Sequence, residues 1–158
     1  MVKLIILTHG HFDHCQNTSY LVKKLNCFVG IGREDVLLLE KNEKRKLFGK
    51  GLWGSFYARA SNCNIWKNNV ESVSPNIILD AGMSLLEYGV DGNVIRLQGH
   101  TKGSIGIALT SGELFVGDAM QNIIFPTTTW CFEDYQQAQE SAKLIKSINA
   151  KKIYYGHG

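Results

Sequence analysis

Five histidines occur in this 158-residue chain, and three of them crowd into one stretch, His9-Gly10-His11-Phe12-Asp13-His14. An extended backbone points residues two apart the same way, so His9 and His11 can grip one metal ion. A turn after them lets Asp13 and His14 face a second ion beside the first. With no cation between them, three imidazoles and a carboxylate so close together would repel and desolvate one another. Nitrogen and oxygen donors without thiolate suit a catalytic zinc, or iron or manganese.

The other two histidines each follow a glycine, in Gly99-His100-Thr101 and Gly156-His157-Gly158, and Asp118 follows another in Val116-Gly117-Asp118. Each lies where a strand is expected to give way to a loop, so one sheet edge could gather them all. The glycines permit tight turns and close approach of backbone to the cluster. Taken singly, a histidine at such a junction is more often a structural residue than a ligand; the combination makes the metal reading. Thr101 and Ser104 read either as hydroxyls that orient ligands or as turn-stabilising groups.

The elements that must position these residues follow from apolar patterning. Val2 to Leu7, broken only by Lys3, predicts a buried strand. Thr18 to Asn26 predicts a helix with Leu21, Val22 and Leu25 on one face, and Cys27 to Ile31 a second strand. A helix is expected from about Glu34 into Lys46. Leu47 to Val73 loses periodicity and mixes glycine with aromatics, which reads as an irregular lid over the site or as a surface excursion packed back on the core. Strands are expected at Ile77–Leu79, then hairpins pairing Leu85–Tyr88 with Asn93–Leu97 and Ile105–Leu109 with Glu113–Val116. Asp134 to Asn149 reads as an amphipathic helix with Ala138, Ala142, Leu144, Ile145 and Ile148 inward, and Lys151 to Tyr155 as a last strand. Pro126, Trp130 and Phe132, in the stretch from Asn122, are candidates to line a pocket. Strands with flanking helices make an α/β sandwich.

The segments His9-Gly-His-Phe-Asp-His14, Gln98-Gly-His-Thr-Lys-Gly-Ser104, Phe115-Val-Gly-Asp118 and Tyr155-Gly-His-Gly158 resemble, in order, the motifs of the metallo-β-lactamase-fold hydrolases. The pattern is most similar to the glyoxalase II-like branch, because Asp118 supplies an oxygen where the commonest zinc β-lactamases have cysteine. The resemblance implies a four-layer αββα sandwich with two divalent metal ions at one edge of its sheets, zinc first and iron or manganese as alternatives. It gives His9, His11 and His100 to one ion, Asp13, His14 and His157 to the other, and Asp118 to both. Two such ions lower the pKa of a bridging water toward ~7, making a hydroxide that attacks a carbonyl or phosphoryl centre of a small-molecule substrate, and Asp13 can assist the leaving group. The reaction implied is hydrolysis of a small thioester, ester or lactone. An iron-dependent sulfur dioxygenase, a phosphodiesterase or ribonuclease, and a metal-binding remnant without turnover are the alternatives.

Members of this family normally carry strands before the histidine-rich one, whereas Met1 lies only eight positions before His9. The expectation is a single incomplete domain over residues 1–158, lacking the usual N-terminal strands and the separate substrate domain of glyoxalase II. Its open sheet edge would be covered by a homo-oligomer or by strand exchange.

Composition removes other classes. A net charge of +3 and a pI near 8.6 are too weak to argue for nucleic acid. No apolar run reaches the roughly 18 residues needed to cross a bilayer. Cys15, Cys27, Cys63 and Cys131 show no framework spacing and read as free thiols of a cytoplasmic protein. Cys15 reads as a small buried side chain or, beside His14, as a soft ligand.

Overall fold

The computed structural model describes residues 2–158; Met1, read with the first strand, lies outside them. The first sheet is parallel, in the order β1 (Leu4–Leu7), β2 (Phe28–Gly32) and β4 (Ile77–Leu79). The second has the order β11 (Lys152–Tyr155), β7 (Glu113–Gly117), β6 (Ile105–Leu109) and β5 (Gly92–Arg96). Its β5–β6 and β6–β7 pairs are antiparallel, and β11 joins β7 in parallel. Two short pairs complete the strands: β3 (Phe48–Gly49) with β10 (Cys131–Phe132), and β8 (Met120–Gln121) with β9 (Thr127–Thr128).

Side-chain alternation sorts these sheets into layers. Leu4 and Ile6 of β1 join Ile77 and Leu79 of β4, Val94 of β5 and Ile105 and Ile107 of β6 in a cluster between the sheets. The intervening Ile5 and Leu7 turn outward with Val29 and Ile31 to meet Val22 and Leu39 of the helices α2 (Thr18–Leu25) and α3 (Val36–Lys41). On the far side, Leu114 and Val116 of β7 pack on Ala142 and Ile145 of α5 (Tyr135–Ser147). The order helix, sheet, sheet, helix is the αββα sandwich expected, and the period-two alternation along each strand sends its side chains to two different layers.

Coverage is uneven. Val94, Ile107, Phe115 and Tyr154 form one row across the second sheet toward the first. Val94 and Ile107 are buried, while Phe115 and Tyr154, stacked at 4.6 Å, are each 38% exposed. Among the described residues β1 pairs only with β2, leaving an edge on that flank. Between Tyr154 and Tyr155 the register slips, so β7 carries one residue more than β11 just before both strands end.

Several expectations need correction. The stretch read as irregular holds α4 (Gly51–Lys67), a 17-residue helix. Its apolar Leu52, Trp53 and Phe56 lie on the solvent side, which erased the usual amphipathic signal. The helix expected from Glu34 to Lys46 is a 3-10 turn at Arg33–Asp35 followed by the shorter α3, stopped by Asn42 in the left-handed conformation at φ 52°. Leu85–Tyr88 is not a strand: Leu86–Tyr88 make a 3-10 turn ended by Gly89, and a single bridge from Ser84 to Asn93 stands in for the hairpin ladder. In α5, Asp134 caps the helix by accepting the Gln137 N–H, but Leu144 faces solvent.

Candidate metal centre

β1 runs straight into the histidine-rich segment. His11 ends the extended stretch at φ −72°, ψ 150°, and α1 (Phe12–Cys15) is a single helical turn. That turn tucks Phe12 and Cys15 against the outer core and leaves Asp13 and His14 on the opposite side. Cys15 is buried, donates to the His9 carbonyl and has its thiol pushed up to about 12 by burial, the behaviour of a structural thiol. β7 delivers Asp118, β11 delivers His157, and the loop between β5 and β6 delivers His100. Gly99 precedes His100 at φ 128°, where a Cβ would lie 2.1 Å from the Ala138 nitrogen of α5. Gly156 is needed for approach instead, since a Cβ there would stand 2.0 Å from Asp118 Oδ1.

All seven expected residues converge. Three overlapping triads each bring one potential ligand atom per residue within 4.8 Å of the others: His9, His11 and His100; His9, His14 and Asp118; and Asp13, His14 and His157. The Asp118 carboxylate stands between them, with Oδ1 3.4 Å from His14 Nε2 and Oδ2 3.6 and 3.3 Å from the Nε2 atoms of His100 and His157. Asp13 Oδ2 lies 3.2 Å from His157 Nε2.

The electrostatics fit a cation. Burial, then the neighbouring imidazoles, hold His9 and His11 well below the ordinary histidine value, so both offer neutral lone pairs. His9 Nε2 and His11 Nε2 are buried without a hydrogen-bond partner, and His11 Nδ1 faces His100 Nε2 at 2.9 Å. Buried polar atoms are rarely left so. Burial works against the Asp118 charge, yet hydrogen bonds from His14 and His157 and the field of His9 and His100 hold its carboxyl far below the carboxylate range. His157 is raised to about 9, first by its hydrogen bond to Asp118.

Sequence reasoning missed the group that braces the loops. Asp35 is fully buried, and its Oδ2 accepts from the Gly10 N–H at 3.0 Å and from Thr101 Oγ1 at 2.6 Å. Its Oδ1 accepts from the Gly103 N–H at 3.0 Å and from Arg45 at 2.7 Å. Thr101 and Ser104 share a 2.7 Å hydrogen bond, so both hydroxyls brace the turn around His100. Arg45 continues to Glu133, whose carboxylate also takes the Lys102 N–H and whose own N–H meets the Gly99 and His100 carbonyls. His100 Nδ1 lies 2.8 Å from the Cys131 carbonyl, which directs Nε2 at the cluster.

The cluster opens into a cavity of about 380 Å³, bounded by Phe12, Leu47 and Cys131 and by Tyr57, Ser61, Asn64, Ile65 and Asn68 of α4 and its end. Trp130 touches this cavity only through Tyr57, against which it packs at 5.5 Å, while Trp130 and Phe132 line a separate cleft with Trp53 and Tyr135. Pro126 lines neither.

The metallo-beta-lactamase superfamily model matches residues 1–157. The chain belongs to that superfamily. A probable metallo-hydrolase of Methanocaldococcus jannaschii is 29% identical over 167 aligned positions, spanning 99% of this chain and 70% of that one. The beta-lactamase-like protein 2 homolog of Drosophila melanogaster is 25% identical, and the chain spans less than half of it, 45%. Among solved structures, TTHA1623 in a di-iron-bound form has a TM-score of 0.68 at 25% identity, covering 98% of this chain and 69% of that one. The B3 metallo-beta-lactamase BLEG-1 superposes with a TM-score of 0.70 at 19% identity over 99% of this chain and 69% of its own, a likeness of fold. Among the described residues no helix is long and apolar enough to cross a membrane.

Proposed function

We propose that the chain is a dinuclear metal-dependent hydrolase of small thioesters, esters or lactones, of the glyoxalase II-like type. The observation that carries this reading is the position of Asp118, within 3.6 Å of histidines belonging to both flanking triads. His9, His11 and His100 would hold one ion and Asp13, His14 and His157 the other, with Asp118 as an oxygen donor available to either. Divalent ions so held supply Lewis acidity and a water acidified toward neutral pH.

The chain's own residues do the rest. The Asp35 network holds the two inner loops in one geometry, so the imidazoles need no rearrangement when substrate arrives. The Cys131 carbonyl keeps His100 in one ring orientation. Asp13, half exposed at the cavity mouth and 3.2 Å from His157, stands where a proton can be passed to the departing group. Zinc suits the donor set, and the di-iron form of TTHA1623 makes iron the alternative.

The test is metal analysis of untagged protein, followed by assay on generic thioesters and on bis(p-nitrophenyl) phosphate. Two metals per chain with thioester turnover is the expected result. Turnover of the phosphodiester alone would reassign the reaction, one iron with sulfur oxidation would support a dioxygenase, and two bound metals with neither activity would sink the hydrolase.

A further inference from the structure

α4 directs Tyr57, Ser61, Asn64 and Asn68 into the cavity over the cluster. Spacings of four, three and four put them on one helix face, with Asn68 just past the last turn. They are a phenol, a hydroxyl and two carboxamides, rich in donors and acceptors and without charge. The stripe runs ~16 Å at 1.5 Å per residue, long enough for an extended acyl chain. Of the nearby cations, Arg45 is engaged on Asp35 and Glu133, and the Lys44 ammonium meets the Asn68 carbonyl at the far end of the stripe.

The stripe is also held in place. The Asn62 carboxamide clamps Leu47, accepting its N–H at 2.9 Å and donating to its carbonyl at 2.8 Å. Asn42 clamps Val70 in the same way just beyond the helix, at 2.7 and 3.0 Å. A fixed row of neutral hydrogen-bonding groups contributes affinity without an ordering cost.

We propose that α4 is the specificity element of the site, and that it selects an uncharged, hydrogen-bonding acyl group over a carboxylate or phosphate. This rests on the hydrolase reading above. A carboxylate set against Tyr57, Ser61 and Asn64 loses water and gains no cation from them, whereas a carboxamide exchanges its water for these three groups.

The experiment uses three p-nitrophenyl esters of six-carbon acyl chains ending in a carboxamide, a methyl or a carboxylate. For the metal-replete chain, kcat/KM should fall in that order, with at least tenfold between carboxamide and carboxylate. Asn64→Lys should raise the carboxylate ester at least tenfold relative to the methyl ester, and Ser61→Ala with Asn64→Leu should bring carboxamide and methyl within threefold. The same esters titrated calorimetrically into metal-free chain should bind in the same order. A preference for the carboxylate, or no response of the ratio to Asn64→Lys, overturns the proposal. If no ester is turned over, the binding order alone decides this proposal, and the thioester assay above decides the hydrolase reading separately.

Discussion

The two outer triads of the metal centre are built to different standards. His9, His11 and His100 are sealed, each under 8% exposed, and their loops are tied to Asp35 from both sides. Asp13, His14 and His157 stand at the mouth, where Asp13 is 53% and His157 38% exposed. The difference continues into the sandwich. The strands beneath His100, β5 and β6, lie under β4 in a closed core, whereas β7 and β11, which carry Asp118 and His157, end on the flank where Phe115 and Tyr154 meet solvent. One half of the centre is preorganised by burial, and the other is held by the single turn of α1 and by two strand ends.

The largest expected effect tests the brace itself. Asp35→Ala takes from Arg45 one of its two buried carboxylates and leaves two loop N–H groups unpaired, and should cost about 3–5 kcal/mol in urea unfolding of metal-free chain. A loss under 1 kcal/mol would erase the contrast between the halves. Next comes the core row: Ile107→Ala should cost about 2–5 kcal/mol, whereas Tyr154→Ser on the open flank should cost under about 1 kcal/mol. A much larger Tyr154→Ser penalty, with a dimer in light scattering that the variant abolishes, would mean that a second copy covers this flank.

Chelation should then separate the ions. The outer one should leave first, with affinity at least tenfold weaker, about 1.4 kcal/mol, read as two steps in a competition titration. A single step would show the triads to be one unit. The same contrast extends to pH. His157 keeps its proton to about 9 in the metal-free chain, so a metal entering the outer triad at pH 7 must displace it. Raising the pH removes that proton beforehand, and outer-site affinity should climb up to tenfold per pH unit until about pH 9. His9 and His11, already neutral, release none, which calorimetry in buffers of differing ionisation enthalpy can count.

The positions where the seven residues converge were legible because histidine is scarce in this chain, and each histidine falls in a loop leaving a strand or, for His14, on the helical turn that follows β1. The strands were legible where both faces are buried, as in β1, β2 and β6. α4 was not, because Gly51 and Gly54 read as breakers and its large apolar residues face outward, so no stripe marked it. Asp35 hid for another reason: in Arg33-Glu34-Asp35 nothing local distinguishes the buried acid from its exposed neighbours. Its role depends on Gly103, 68 positions away, which only the closed sandwich brings near.

The extra residue of β7 opposite Tyr154 and Tyr155 has a consequence for how this protein can change. Side chains alternate along a strand, so one residue more or less is half a turn, and the surplus sets the phase in which Asp118 and His157 leave the sheet together. Substitutions in β7 alter packing by degrees. A single deletion there would instead shift that phase for every residue beyond it, so at the apolar positions of β7 change in composition is tolerated more readily than change in length.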